Sequence, residues 1–183
     1  MDSRLHATLI ASHRGFAGLA VACGLLCGTV TLARAEVLSA RVAVRGMTCN
    51  ICAGTVERRL KRVACIMTAS VDLERGLAEI NPRSGQRFEG RRILKAIRDA
   101  GFTPGDIVVV ARGQLVSRDE AAYLELGPGD LAILTGATRA SPPPDLPAPG
   151  SLIRVTGRFA DPSGDPRASV GIVVERAVVA TTP

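Results

Sequence analysis

The 183-residue sequence predicts an α+β protein: a ferredoxin-like βαββαβ sandwich followed by a small all-β module of β-barrel or OB-like type. Three observations predict it. Between residues 39 and 110 the apolar spacing switches from period two to the helical period and back, twice. From Arg112 onward the chain offers only short alternating segments divided by Gly and Pro clusters. The two cysteines of RGMTCNICAG, 45–54, stand where the first strand gives way to the first helix.

The first 35 residues are set apart from this pattern. Arg4 and Arg14 precede the apolar run FAGLAVACGLLCGTVTLA, and Ala33-Arg34-Ala35 supplies small residues around a cleavage before Glu36. This reads as a secretory leader cleaved after Ala35, giving a periplasmic or otherwise exported protein. An uncleaved membrane anchor is the lesser reading, because an apolar run of about 17 residues is short for crossing a bilayer. Leu19-Ala20-Val21-Ala22-Cys23 resembles a lipobox only loosely. Cleavage removes Cys23, Cys27, His6 and His13, and with Arg4, Arg14, Arg34 and Asp2 it takes the formal net charge from +6 to +4. A mature chain without histidine cannot run a Ser-His or Cys-His nucleophile pair, nor build a His-containing zinc site.

The elements follow in order. SARVAVRG alternates Val42 and Val44 with Arg41 and Arg45, as a half-buried strand does. Behind the cysteines, Ala53, Val56, Leu60 and Val63 share one helical face. MTASVDL places Ala69, Val71 and Leu73 on one side of a second strand. Glu74-Arg75-Gly76 then turns the chain into GLAEI, with Ala78 and Ile80 facing together. Ile93, Leu94, Ala96, Ile97 and Ala100 form the stripe of a second helix, stopped at Gly101 before Pro104. IVVVA, 107–111, is the closing strand of a first domain spanning 36–111. A second, 112–183, carries the strands LVSR (115–118), AYLEL (122–126), DLAILTG (130–136), SLIRVTGRF (151–159) and ASVGIVVERAVV (168–179). SPPPDLPAPG, 141–150, reads as a surface loop inside that module, since a strand pair beyond it could hardly fold alone. No internal repeat is visible.

A Cys-x-x-Cys at a strand end opening into a helix brings two sulfurs onto one exposed turn. Two thiolates suit soft ions of low coordination number: Cu(I) first, with Hg(II) meeting the same softness criterion. Two sulfurs leave a tetrahedral Zn(II) site incomplete, and no carboxylate directly precedes Cys49. The same spacing also serves thiol-disulfide proteins, and in an oxidising compartment the pair can rest as a disulfide.

GMTCNIC, its helix, the VDLERG turn and DAGFTP together resemble the heavy-metal-associated domain of copper chaperones, copper-transporting ATPases and periplasmic mercury-binding proteins. The resemblance covers roughly residues 39–110. It implies a ferredoxin-like domain that holds one soft ion between Cys49 and Cys52 and passes it to a metal transporter or metalloenzyme by thiolate exchange. It further implies that Met47 anchors the loop, with Thr48 beside the site, and that Phe102 packs against the loop. The chain departs from the family at Ala64-Cys65-Ile66, where a Gly-Val is usual, and Cys65 is expected to be structural.

The remaining features define the function classes. Arg58, Arg59, Lys61, Arg62, Arg91, Arg92, Lys95 and Arg98 form either a solvated surface or a docking face for an acidic partner. Tyr123 and Phe159 are the only aromatics of the second module, which argues against a nucleic-acid partner. The expected protein is therefore a metal-binding protein and not an enzyme, with membrane contact only if the leader stays attached. Its alternatives are a thiol-disulfide protein using the same cysteines, or a partner-binding β-module with a metal-sensing domain.

Overall fold

The structure is a computed structural model that describes residues 35–136, 143, 145–160 and 168–180. Apart from Ala35, the leader assigned from sequence lies outside the described residues. So do the DPSGDP turn and part of the proline-rich loop.

Among the described residues the chain runs β1 (Glu36–Arg45), α1 (Asn50–Leu60), β2 (Ile66–Asp72), β3 (Leu77–Pro82), α2 (Gly90–Asp99), β4 (Thr103–Arg118), β5 (Ala121–Gly127), β6 (Asp130–Thr135), β7 (Leu152–Ala160) and β8 (Ala168–Val179). The first half is the predicted sandwich. Strands order β2-β3-β1-β4, every pair antiparallel, with Val42 opposite Ala78 and Ile107. Alternation buries Ala40, Val42, Val44, Ala78, Ile80, Ile107 and Val109, while Ala53, Val56, Leu60, Ile93 and Ile97 supply the helical stripes. The helices pack on each other, α1 also on β2 and α2 on β4. Salt bridges Lys61–Glu57 (2.5 Å) and Lys95–Asp99 (2.6 Å) lie on the solvent faces, where water and salt screen them.

β4 carries the architecture past the sandwich. Along one edge it pairs with β1 through Arg112, then with β5 from Gln114 to Arg118; along the other it pairs with β7 from Val108 to Gln114. β5 and β6 form a hairpin, β6 lies parallel to β8, β8 is antiparallel to β7, and β7 returns to β4. The five strands β4-β5-β6-β8-β7 thereby close into a barrel, each pairing with a neighbour on both sides. Most of its buried residues, among them Leu115, Leu124, Leu134, Ile153, Val155 and Ile172, join those of the sandwich in one hydrophobic cluster, while Tyr123 and Leu131 form a second, smaller one.

The segments IVVVA and LVSR, read from sequence as the end of one domain and the start of another, are thus one 16-residue strand. The boundary drawn at 111/112 falls within it. Arg112-Gly113-Gln114 broke the apolar alternation, but each has a place in the strand. The Arg112 guanidinium pairs with Glu36 at 3.6 Å. Gly113 sits where β5 replaces β1, and a Cβ there would strike the Glu125 carbonyl oxygen. Gln114 Nε2 donates to the Gly150 carbonyl at 3.2 Å.

Two further contacts tie the halves together. The Phe159 ring of β7 lies under Gly90 at the start of α2, 2.6 Å from where a Cβ would stand, and meets Phe88 edge-on with centroids 6.2 Å apart. The proline-rich segment joins β6 to β7 within the barrel. Of its described part, Leu146 packs on the core and the Gly150 N–H donates to the Leu115 carbonyl at 2.7 Å.

Candidate metal centre

Three connections meet at one end of the sandwich. β1 ends at Arg45 opposite Thr103, the first residue of β4, so the loop after β1 begins beside the end of α2. The β2–β3 turn joins them through the Val44 N–H, which donates to the Gly76 carbonyl at 2.8 Å. Gly46, at φ 93°, swings the chain out of β1 in a conformation that favours glycine, and the Phe102 ring lies against it. Phe102 is placed by the end of α2: its N–H donates to the Ile97 carbonyl (3.2 Å) and the Gly101 N–H to that of Arg98 (2.9 Å), the Schellman arrangement. Met47 and Phe102, both half-buried, pack on the core beneath the loop.

Cys49 is the N-cap of α1. Its extended backbone (φ −147°, ψ 157°) stops the strand-like chain, and its Sγ accepts the Cys52 N–H at 3.2 Å. The helix then places Cys52 one turn on, with its Cα 5.2 Å from that of Cys49, and the structure joins the two as a disulfide. Cys49, Thr48 and Asn50 are exposed; Cys52 is half-buried. The first turn of α1 carries no acidic residue, so the partial positive charge of the helix end is left to stabilise anionic sulfur or a thiolate-bound ion.

Every residue assigned to the site from sequence therefore stands at this end of the fold: Cys49 and Cys52 in the turn, Thr48 beside them, Met47 and Phe102 below. Sequence reading did not single out Ile51. It lies between the cysteines with 79% of its surface exposed, off the Ala53–Val56–Leu60 stripe, and that off-stripe position was the available signal. Cys65 is elsewhere. It follows α1, a helix about 16 Å long, and is buried with 1% exposure, so burial pushes its thiol pKa up and it fills the core as expected. On the helix surface, Arg59, Arg62, Arg92, Lys95 and Asp99 line a shallow groove between α1 and α2. Its cations are partly paired, Arg92 with Glu89 (3.1 Å) and Lys95 with Asp99, which holds the Asp99 carboxyl below the usual carboxylate range.

The profile of the heavy-metal-associated domain matches residues 41–103, the segment that contains all of these residues. Residues 41–103 are a heavy-metal-associated domain. Solved structures similar to it cover the same part. A copper binding domain from HMA7, a P-type ATPase, is 34% identical over 37% of this chain and 89% of that one, with a TM-score of 0.34. The CopZ metallochaperone is 25% identical over 37% of this chain and 98% of that one, TM-score 0.35. The yeast copper transporter domain CCC2A is 23% identical over 36% and 89%, TM-score 0.34. No curated protein matches the chain. Residues after the heavy-metal-associated segment thus lie beyond the matched profile.

Proposed function

We propose that this protein is an exported metallochaperone or scavenger. It holds one Cu(I) between the thiolates of Cys49 and Cys52 and passes it to a transporter or metalloenzyme by thiolate exchange. One observation carries the reading: two sulfurs share an exposed turn, and among the described residues no group of three or more His, Cys, Asp or Glu side chains stands together to hold a metal. Two soft donors and nothing else select an ion content with two ligands. Cu(I) satisfies that, Hg(II) second, and Zn(II) least because it wants four.

The rest of the molecule supports transfer over storage. The sulfurs sit at the surface, where an incoming thiolate can reach a bound ion, and the cationic groove offers an acidic partner a place to dock. The barrel we read as an OB-like scaffold that fixes the metal domain near its partner. The leader, cleaved after Ala35, would deliver the protein to the periplasm or beyond. The function is binding, not catalysis.

The test is X-ray absorption at the copper edge on the reduced, Cu(I)-loaded protein. Two sulfur neighbours per copper, reduced in number by Cys52→Ser and unchanged by Cys65→Ser, are expected. A shell of nitrogen or oxygen donors indifferent to Cys52→Ser would refute the reading.

A further inference from the structure

We propose that the cleft where the sandwich meets the barrel is a second binding site, which takes a small organic amine: an apolar body seated in the cleft, with its ammonium group paired to Glu125. The proposal is independent of the metal reading. The cleft has a volume of about 830 Å³, inside the range of small-molecule sites. Its walls are the start of β1, the β3–α2 connection, the β5–β6 turn, and β4 and β7 around Gln114 and Leu152. β1, a 10-residue strand, begins at this cleft and ends at the Cys turn, so the two sites stand about 30 Å apart. Gln114, Leu152 and the β5–β6 turn all lie outside residues 41–103, so the cleft exists only because the barrel is attached.

The lining suits an apolar body. Val37, Phe88 and Leu126, all buried in the core, show their outer atoms to the cleft. Gly85, Gly127, Gly129 and Gly150 also line it, and a Cβ on any of them would meet nothing within 4 Å. Gly127 is the telling one. It sits at a register shift in β5, yet its φ is not left-handed and nothing crowds it, so neither backbone nor packing requires a glycine there. What its bare backbone provides is room for a ligand to approach.

The polar groups select a cation that donates hydrogen bonds. Arg87, the cationic side chain of the lining, is paired with Asp130 at 3.5 Å, and Glu36 is paired with Arg112 at 3.6 Å. Glu125 is left over: half-buried, it has no ion pair or side-chain hydrogen bond among the described residues. Acceptors surround it. Gln114 gives its Nε2 to the Gly150 carbonyl, which leaves its Oε1 to accept, and Pro128 of the turn has no N–H to offer. Among the described residues no three His, Cys, Asp or Glu side chains stand close enough to hold a metal, so the surplus carboxylate is not part of a metal cage. A primary ammonium supplies the one positive charge and the donors that this lining lacks.

The experiment titrates the full chain with dansylcadaverine, a primary amine on an aromatic body that brightens on leaving water, beside its N-acetyl derivative, which keeps the body and loses the charge. Saturable binding of one equivalent of the amine is expected, at least tenfold tighter than that of the acetylated compound. Glu125→Gln should weaken the amine at least tenfold and leave the acetylated compound unchanged. Gly127→Leu, which fills open space in the cleft, should abolish amine binding, while Cys49→Ser should not alter it. Amine and acetylated compound that bind alike, with Glu125→Gln indifferent, would overturn the assignment of a cation. Binding that survives Gly127→Leu would put the probe elsewhere and overturn the site. No saturable binding to the unsubstituted protein would overturn the proposal outright and leave the metal reading standing.

Discussion

Cys65 shows how one residue can look chemical in sequence and prove structural in place. In the heavy-metal-associated pattern it occupies a position usually taken by a small Gly-Val pair, and the fold uses it as apolar filler beside Ile66 and Val63. Its raised thiol pKa follows from burial and has a sign that can be checked. The native state holds the proton more tightly than the unfolded chain does. The stability this contributes is therefore intact below the ordinary thiol range, near 8.5, and is lost as pH climbs from there toward the raised native value. Cys65→Ala should cost about 1 kcal/mol at neutral pH, measured by urea unfolding, and should flatten the fall in stability as pH rises above the ordinary thiol range. A variant that keeps the full alkaline slope would show that another group carries it. Phe102, by contrast, was legible as a neighbour of the loop because DAGF matched a family motif, and its ring does lie against Gly46. Its placement needed the Gly101 and Phe102 hydrogen bonds to α2, which no local spacing announces.

At the scale of elements, periodicity located both helices and the strands β1, β2 and β3, because each buries one face only. β4 defeated it. A strand flanked on both edges, with one edge shared in turn by β1 and β5, can carry a glycine and two polar residues at the handover. Local alternation then reads as a break. The handover makes Gly113 the most demanding position in the strand, since its missing Cβ lets the Glu125 backbone approach. Gly113→Val should destabilise the protein by about 3 kcal/mol, seen as a lower urea midpoint. Gly127→Ala, at a β5 glycine with open space around it, should cost under about 1 kcal/mol. Equal losses at the two would mean that β5 does not pack on β4 as described. The Cys turn was legible because capping, helix start and motif coincide on seven residues, whereas the closure of the barrel was not. The β4–β7 and β6–β8 pairings join segments more than 35 residues apart, and nothing in either segment names its partner.

For the whole molecule, the shared strand and the continuous hydrophobic cluster make sandwich and barrel one cooperative body. Tyr123, the sole tyrosine in a chain without tryptophan, sits buried in the barrel and reports on it by fluorescence. A dye on the Cys49–Cys52 turn reports on the sandwich. Their urea transitions should coincide, and two midpoints separated by more than about 1 M would show independent domains. Such coupling gives the metal turn a rigid mount: β1 and β4, which flank it, run on into the barrel end of the molecule. The central claim, that two cysteine sulfurs form the metal clamp, is tested most directly by titrating the reduced protein with Cu(I) under argon against a competing chelator, with Cys49→Ser and Cys65→Ser alongside. One tightly bound equivalent, lost with Cys49→Ser and kept with Cys65→Ser, is the expected result. Weak binding that Cys49→Ser leaves unchanged would contradict it.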